Sequence, residues 1–347
     1  MTAAPEPMPT ISVVVVTFRH GEELRPALTA LVAQLRDGDE LIVVDNASAD
    51  STPDVALDVA PAARLIRNEE NAGFPAACNR GAAEASGVLL VFLNPDAVVA
   101  PGWRDAIERP LRDGSGWTAW QALVTADGGR TINTRGGVVH FTGIAWAGGA
   151  GEPPSSLVAG TEPGFVSGAC LAIPRAEFAG LGGFAEEFFL YHEDVDLSLR
   201  ARLAGGAIGV VTDARVDHDY EFDKGPAKWR YLERNRWATL LRAYPAALLL
   251  LLAPALAATE LALIPVSIAG GWFGQKLRAW GDTIRALPRL MRQRRAVQAT
   301  RATSAAGFAG ALTPSLDSPY LGAASRASAL NSLLAGYWRL VLRLLGG

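Results

Sequence analysis

Acidic side chains and one imidazole stand where strand-like runs of the sequence end. Asp45 ends the run LIVVD, Asp96 follows VLLVFLNP, Glu193 and Asp194 open EDVDLSLR, and His218 follows the last apolar run. Loops at the strand ends of an open α/β sheet present side chains over a rigid floor, and ligands bind there. Carboxylates, an amide and an imidazole at such an edge suit a divalent cation that holds a diphosphate, with one carboxylate left over as a base. The pattern therefore indicates sugar-nucleotide chemistry.

The string NPD supplies one predicted metal ligand. A cation that bridges two phosphate groups usually takes few protein carboxylates, so Asp96 suffices if a second ligand comes from elsewhere. His218, between Asp217 and Asp219, is the predicted second ligand, because a neutral imidazole binds Mg²⁺ or Mn²⁺ when a carboxylate supplies the charge. Asn94 can give a carbonyl ligand or bind a ribose hydroxyl. An ordinary Asn-Pro-Asp turn is the alternative.

The string YHEDVDLSLR holds the predicted base. Glu193 and Asp194 at a helix start are favoured by the positive end of the helix dipole, and Asp194 can face a cleft. Asp196 and Arg200 are four residues apart and are expected to pair on the helix surface, so Asp196 is interpreted as structural. An acid-capped surface helix is the alternative, but the aromatic lead-in FAEEFFLY argues for an anchored turn.

Nucleotide contacts are predicted from two further places. Asp45 can accept a hydrogen bond from a pyrimidine N3–H or from a ribose hydroxyl. The string NEENAGFPAACNRG predicts a tight loop and a helix start, where Asn71, Gly73 and Asn79 can contact a phosphate or a base. Arg80 is a candidate phosphate contact and equally a candidate surface arginine.

The elements that must position these side chains follow a βαβαβαβ rhythm, which predicts an α/β fold with a Rossmann-like, nucleotide-binding half. The continuous β-branched run ISVVVVTF is typical of a parallel strand buried on both faces. Between residues 102 and 164 the alternation is partial and predicts antiparallel strands and loops. Strands are predicted at 11–18, 40–45, 64–67, 88–93, 165–173 and 208–211, and helices at about 22–34, 52–60, 75–85, 175–181 and 194–204.

The bulk composition fits a globular enzyme. Of the 347 residues, 50% are hydrophobic, which is enough for a sizeable core in one large domain or two. Two cysteines, Cys78 and Cys170, make no disulfide framework, as expected in a reducing cytoplasm. Residues 1–10 carry no visible export signal and are expected to form a disordered tail.

Charge is unevenly distributed along the chain. Residues 1–223 hold 15 Lys+Arg and 31 Asp+Glu, whereas residues 224–301 hold 14 and 3. A basic, Leu/Ala-rich segment after an acidic body indicates attachment to a membrane surface, and the apolar runs make lipid a better partner than nucleic acid. The runs on either side of Glu260 are shorter than the roughly 20 residues of a spanning helix, which favours an interfacial or re-entrant hairpin over a single span. The predicted domains are a tail (1–10), a catalytic domain (11–228), a basic and apolar helical region (229–301), a Pro/Gly/Ser-rich linker (302–324) and an amphipathic helix (325–347).

Together these motifs resemble family 2 glycosyltransferases with the GT-A fold, nearest to bacterial rhamnosyl- and galactofuranosyltransferases of cell-wall assembly. The resemblance runs from about Ile11 to Tyr244 and rests on SVVVVTFRH, VVDNASADST, NEENAGFPAACNRG, LLVFLNPDA, FVSGACLAIPR, GGFAEEFFLYHEDVDLSLR and the late histidine. It implies that Asp45 meets the base, that Asp96 and His218 hold a divalent cation (Mg²⁺ or Mn²⁺), and that Asp194 is the general base. NPD departs from the two-carboxylate DxD pattern of the family. Further implied contacts are Thr17, Arg19, Asn71, Gly73, Asn79 and Asn94 for the nucleotide sugar, and Glu193, Gly168 and Trp120 for the acceptor or for support.

The resemblance implies an inverting transfer of a rhamnose- or galactofuranose-like sugar from a UDP- or dTDP-sugar to a hydroxyl of a lipid-linked or cell-wall glycan, at the cytoplasmic face of the plasma membrane. A nucleotidyltransferase is one alternative, but TFRHGEELRP has a single glycine where a triphosphate-binding loop needs more. A processive polysaccharide synthase is another, because ERNRW (233–237) resembles the QxxRW string of such enzymes, although several spanning helices are missing. A non-catalytic relative of the same fold is the third.

Overall fold

The computed structural model describes residues 10–156, 162–219, 225–318 and 327–346. The strands are β1 (Ile11–Thr17), β2 (Glu40–Asp45), β3 (Arg64–Arg67), β4 (Leu89–Leu93), β5 (Val98–Val99), β6 (Trp117–Ala126), β7 (Thr131–Thr134), β8 (Gly137–Val139), β9 (Ala145–Ala147), β10 (Cys170–Pro174) and β11 (Ala207–Asp217). The helices are α1 (Leu24–Val32), α2 (Thr52–Val59), α3 (Phe74–Ala83), α4 (Trp103–Arg112), α5 (Arg175–Gly180), α6 (Glu193–Leu203), α7 (Ala227–Ala243), α8 (Ala246–Ala269), α9 (Phe273–Ala299), α10 (Ala305–Ala309) and α11 (Ser328–Leu344).

A mixed sheet in the order β3-β2-β1-β4-β10-β6-β11-β5, with β7 beside β6, forms the centre of the catalytic domain. The strands β3, β2, β1 and β4 are parallel, as the βαβαβαβ rhythm predicts, and β10 runs antiparallel to β4 and β6. The strand β11 is parallel to β6. The carboxyl ends of β1, β2, β4, β6 and β11 and the start of β10 therefore meet at one edge of the sheet.

Alternation along β1 builds a core on each face of the sheet. Val13 and Val15 pack with α1, α2 and α4, while Val14 and Val16 face α3, α5 and α6. Both sets are buried, which explains why the β1 sequence is apolar at every position except Ser12 and Thr17. Helices on both faces make this part of the chain an α/β domain.

Two parts of the sheet region differ from the sequence prediction. The helix α4 lies where strands and loops were expected. The buried residues Trp103, Ala106, Ile107 and Pro110 recur at helical spacing, so the helical signal was present in the sequence and was missed. Arg104 is also buried and pairs with Asp39 at 2.6 Å. The strand β10 begins at Cys170 rather than at residue 165, because backbone amides of residues 166–168 bind side chains instead of a strand.

The helix α6 also differs in its surroundings. Asp196 and Arg200 pair at 2.7 Å as predicted, but both are buried rather than on a helix surface. The guanidinium of Arg200 also donates to the carbonyl oxygens of Leu181 and Gly183, at 2.6 and 2.8 Å. The pair therefore ties α6 to the segment after α5.

The helix α8 is continuous over 24 residues, through Pro254 and Pro265. The apolar runs on both sides of Glu260 belong to this one helix, and the carboxylate of Glu260 is bound by Arg236, by Lys276 at 2.9 Å and by the indole N–H groups of Trp237 and Trp280. Among the described residues, α8 is the one helix long and apolar enough to cross a membrane, with a mean hydropathy of 2.2 and only 17% of its apolar window buried.

The segment predicted as a linker packs against the catalytic domain in its described part. Phe308 and Ala309 of α10 are buried, and the backbone of Thr313 bonds to Val139 and Phe141. Trp338 of α11 stacks on Phe141 with 5.1 Å between ring centroids. These apolar anchors hold the C-terminal helices in place. Residues 1–9 of the predicted tail and 319–324 of the predicted linker lie outside the described residues.

Candidate active site

An open cavity of about 540 Å³ lies over the carboxyl edge of the sheet. Its floor comes from the ends of β1 and β4, and its walls come from the loop before β10, the loop before α6, the β7–β9 segment and the start of α7. The predicted site residues that line it are Thr17, Asn71, Gly73, Asn94, Asp96, Gly168, Glu193, Asp194 and His218.

The predicted metal ligands lie side by side. Asp96 Oδ1 is 3.1 Å from His218 Nε2, and Asn94 Nδ2 is 3.4 Å from the same nitrogen. Asn94 and Asp96 follow β4, whereas His218 follows β11 and donates its backbone N–H to Thr125. Burial works against the Asp96 carboxylate, but the hydrogen bond and charge of His218 outweigh it, so the pKa of Asp96 is lowered.

A carboxylate, an imidazole and an amide fit a Mg²⁺ or Mn²⁺ ion that takes its other ligands from water and phosphate oxygens. Within the part of the chain that the structure describes, no cluster of three His, Cys, Asp or Glu side chains suited to a metal is present. An ion held by Asp96 and His218 would have to take its remaining ligands from water or from phosphate oxygens.

The predicted base stands on another wall of the cavity. Asp194 Oδ2 accepts a hydrogen bond from the Gly168 backbone at 3.1 Å, and Oδ1 accepts one from the Val195 backbone at 2.8 Å. Burial raises the pKa of Asp194, and the two amides offset part of that effect. The next residue after Gly168, Ala169, accepts the backbone N–H of Asn94 at 3.0 Å, so the segment 168–169 links this wall to the metal ligands.

Glu193 lines the same wall and is almost fully buried. Its Oε2 has no hydrogen-bond partner within the structure. Burial, together with the charge of Asp194, raises the pKa of Glu193 to about 8. Burial and the neighbouring charge therefore favour the protonated form of Glu193.

The predicted nucleotide contacts fall into two groups. Thr17 lines the cavity and donates to Asp45 Oδ1 at 3.1 Å, but Asp45 is buried below it and also accepts from the Ser48 backbone. Arg19 is exposed and lies outside the cavity lining. Asn71 and Gly73 both line the cavity, and Asn71 Oδ1 accepts the Gly73 N–H at 3.0 Å.

Besides Arg19 and Asp45, two more predicted site residues lie outside the cavity lining, and their assignment is corrected. The side-chain amide of Asn79 donates to the Phe184 carbonyl at 3.0 Å and accepts the Phe184 N–H at 2.9 Å, so it ties α3 to the segment after α5. Trp120 is buried between β10 and α4 and donates its indole N–H to the Ile107 carbonyl at 2.8 Å. The hydrogen-bonding groups of both side chains are used inside the fold.

Sequence reasoning missed much of the lining. Both Glu233 and Arg236 of the ERNRW string line the cavity, and the string itself was the available signal. Arg236 donates to the Thr142 carbonyl at 3.0 Å, and Glu233 pairs with Lys276 at 2.6 Å. The other missed polar and aromatic lining residues include His20, Asn46, Asn133, Trp146, Tyr191, His192, Lys228 and Trp229.

Comparisons with known proteins agree with this architecture. Residues 12–135 match the family model described as glycosyl transferase family 2. The chain is 30% identical over 257 residues to the N-acetylglucosaminyl-diphospho-decaprenol L-rhamnosyltransferase of Mycobacterium tuberculosis, covering 67% of this chain and 83% of that protein. It is 31% identical to the O-antigen biosynthesis protein RfbC of Myxococcus xanthus, over 60% of this chain and 17% of that protein.

Solved structures share the fold at low sequence identity. The structure of GalNAc-T7 with UDP, GalNAc and Mn²⁺ matches with a TM-score of 0.57 and 19% identity, over 68% of this chain and 48% of that one. Staphylococcus aureus TarS matches with a TM-score of 0.53 and 17% identity, over 86% and 54% of the two chains. The chain belongs to the family 2 glycosyltransferases and has the GT-A fold.

Proposed function

We propose that this glycosyltransferase is inverting and metal-dependent, and that it moves a rhamnose- or galactofuranose-like sugar from a UDP- or dTDP-sugar to a hydroxyl of a lipid-linked or cell-wall glycan. The observation that carries the proposal is the shared cavity, lined by Asp194 on one wall and by the Asp96–His218 pair on another. The name of the mycobacterial relative, a rhamnosyltransferase acting on a diphospho-decaprenol, supports the sugar and the acceptor class. The GalNAc-T7 complex with UDP and Mn²⁺ supports a nucleotide sugar and a divalent cation.

Donor binding is assigned to the β1, β2 and β4 ends of the cavity. Thr17, held by Asp45, and the Asn71–Gly73 turn would contact the nucleoside. Asp96 and His218 would hold Mg²⁺ or Mn²⁺, with Asn94 beside them. The bound ion supplies positive charge that stabilises the departing diphosphate.

The transfer step is assigned to Asp194. Its carboxylate takes the proton from the acceptor hydroxyl while the hydroxyl oxygen attacks the anomeric carbon, and the bond from that carbon to the diphosphate oxygen breaks on the opposite side. Burial raises the pKa of Asp194, which makes the carboxylate a stronger base, and the Gly168 N–H fixes its direction. One positioned base suits inversion in a single displacement, whereas retention through a glycosyl-enzyme needs a nucleophile as well.

Membrane attachment is proposed for the C-terminal helices. Leu250 and Leu261 of α8 are 77% and 68% exposed, and Ile284 of α9 is 71% exposed beside arginines of the same helix. An apolar surface flanked by arginines suits the anionic cytoplasmic leaflet. We place the protein at the cytoplasmic face of the plasma membrane, peripherally or with α8 inserted, where a lipid-linked acceptor would be in reach.

The test combines a donor panel with a substitution. Nucleotide release from UDP- and dTDP-sugars is measured with Mg²⁺ or Mn²⁺ and a polyprenyl-diphosphate-linked sugar, for the wild type and for Asp194→Asn. We expect turnover of Asp194→Asn to fall at least about 100-fold, the scale of general-base catalysis, while the nucleotide-sugar Kd stays within a few-fold. The control Asp213→Asn changes a carboxylate that is exposed and outside the cavity lining, and should keep turnover. Turnover retained by Asp194→Asn would contradict the assignment of the base.

A processive synthase is the second candidate, because Glu233 and Arg236 of ERNRW line the cavity. Chromatography of the products separates the two. One or a few added sugars support the proposal, and a long polymer supports a synthase.

A further inference from the structure

The loop that leads into α6 has an unusual backbone. Phe189, Tyr191 and His192 have φ values of 61°, 69° and 69°, a region that side-chain-bearing residues rarely adopt. Such a conformation persists only where the surrounding structure holds it. His192 directly precedes Glu193 and Asp194, so the path of this loop decides where the proposed base stands.

Side chains of α7 hold the loop through its carbonyl groups. The two N–H groups of the Asn235 side-chain amide are shared among the carbonyl oxygens of Phe188, Leu190 and Tyr191, which lie 3.0, 2.9 and 2.7 Å from Nδ2. Arg234 Nη2 adds bonds to the carbonyls of residues 187 and 188, at 3.0 and 2.7 Å. Asn235 is fully buried, so water cannot replace its N–H groups. We call these two residues the carbonyl clamp.

The opposite side of the loop is closely packed. The Phe74 backbone N–H donates to the Phe189 carbonyl at 2.8 Å, and a Cβ on Gly73 would come within 2.5 Å of that oxygen. The loop is therefore fixed between the start of α3, which lines the donor side of the cavity, and α7. A buried carbonyl oxygen without a hydrogen-bond donor raises the free energy of the folded state. Removal of the clamp would therefore favour another conformation of the loop.

We propose that Asn235 is a positioning residue for glycosyl transfer, because its side-chain amide sets the left-handed path of residues 188–192 that directs Asp194 into the cavity. This inference rests on the proposed function, in which Asp194 is the base. Asn235 itself does not line the cavity, so it acts through the loop and not on the substrate.

The chain offers a matched control for this inference. Gln298 of α9 also donates its side-chain amide to three carbonyl oxygens, those of Arg242, Ala243 and Tyr244, at 3.1, 3.0 and 3.4 Å. Those carbonyls lie at the end of α7 and not beside the cavity. The two variants Asn235→Ala and Gln298→Ala therefore each remove an amide that contacts three carbonyl oxygens. Asn235→Ala removes it beside the loop that leads to Asp194, and Gln298→Ala removes it away from that loop.

The experiment measures kcat, KM and the pH profile of kcat on the full chain, nucleotide Kd by calorimetry, Tm, and hydrogen exchange of the amides of residues 188–196. For Asn235→Ala we expect kcat to fall at least tenfold, the pH profile to shift, the nucleotide Kd to stay within threefold, and residues 188–196 to exchange faster. Gln298→Ala should keep kcat within twofold of the wild type and leave the hydrogen exchange of residues 188–196 unchanged. This should hold even if the Tm of Gln298→Ala falls as much as the Tm of Asn235→Ala.

Two outcomes overturn the inference. One is Asn235→Ala with kcat within twofold of the wild type, and the other is Gln298→Ala with the same loss of kcat for the same loss of Tm. If Asn235→Ala does not fold, Arg234→Ala is measured in its place, since it removes the two bonds from Arg234 to the loop and the 2.9 Å bond from Arg234 Nε to Asn235 Oδ1, while the Asn235 side chain itself remains. Asp194→Asn is measured in the same series. If Asp194→Asn keeps its turnover, the proposed base is refuted. If Asp194→Asn loses turnover while the clamp variants are fully active, only the positioning role is refuted.

Discussion

The buried proton of Glu193 gives a prediction that needs no substrate. The pKa of Glu193 is raised from 4.5 to about 8, because burial removes its carboxylate from water and the charge of Asp194 opposes a second negative charge. One pKa unit corresponds to about 1.4 kcal/mol, so the ionised carboxylate at this place costs up to about 5 kcal/mol relative to the unfolded chain. Between pH 4.5 and 8 the folded protein keeps a proton that the unfolded chain has released. The free energy of unfolding therefore falls as pH rises through this window, and the penalty is absent below it.

The variant Glu193→Gln has a side chain of the same size and no proton to lose. Urea unfolding of the variant and the wild type at pH 5, 6.5 and 8 should give similar stabilities at pH 5 and an advantage of several kcal/mol for the variant at pH 8, about 1.4 kcal/mol per pH unit in between. The control Glu177→Gln removes an exposed carboxylate of α5 and should run parallel to the wild type at every pH. Parallel curves for Glu193→Gln and the wild type would refute the buried, protonated state.

Three other outcomes are expected. Activity should be lost in EDTA and restored by Mn²⁺, and Asp96→Asn should need at least about tenfold more Mn²⁺ for half-maximal rate, because the remaining ligands carry no carboxylate charge; an unchanged Mn²⁺ titration would contradict the metal assignment. Gly73→Ala should lower both Tm and donor affinity, since Gly73 has a φ of 85° and a Cβ there would meet the carbonyl of Phe189; the matched variant Gly180→Ala, with open space around it, should not. Replacing the exposed Leu250 and Leu261 by serine should reduce co-sedimentation with anionic vesicles without lowering Tm; equal sedimentation would argue against attachment through α8.

The parallel strands could be predicted because each strand is marked by a continuous apolar run in its own sequence. The β1 run and the strands beside it are apolar at nearly every position, and only a strand covered on both faces requires that. The helix α4 carries a comparable signal, because Trp103, Ala106 and Ile107 recur at helical spacing, and this signal was missed. What has no local sign is the burial of Arg104, because its partner Asp39 lies 65 residues before it. A charged residue is normally expected on the surface, but it can be buried when a residue far away in the sequence pairs with it.

The site, like the fold, has parts that could be predicted from the sequence and parts that could not. Asp96, His218 and Asp194 follow strands or begin a helix, so their place at one edge follows from the topology. Trp120 has a suitable side chain, but nothing in the sequence shows that its indole N–H is used by Ile107. The partners of Glu260 could not be predicted either, because Arg236, Lys276 and two tryptophans reach its carboxylate from α7 and α9. Such tertiary hydrogen bonds have no local signature.

The carbonyl clamp has a consequence for synthesis of the chain. The strands of the sheet and the metal ligands are complete once residue 218 has been made, whereas Arg234 and Asn235 come later and α7 must then fold back onto the loop. Domains fold as units while the N-terminal part is made first. A growing or proteolytically shortened chain would therefore have its donor side formed while the base is still unplaced. The helix α7, which places the base, is made directly before α8 and α9, which carry the proposed membrane surface, so the site would be completed shortly before the chain could attach.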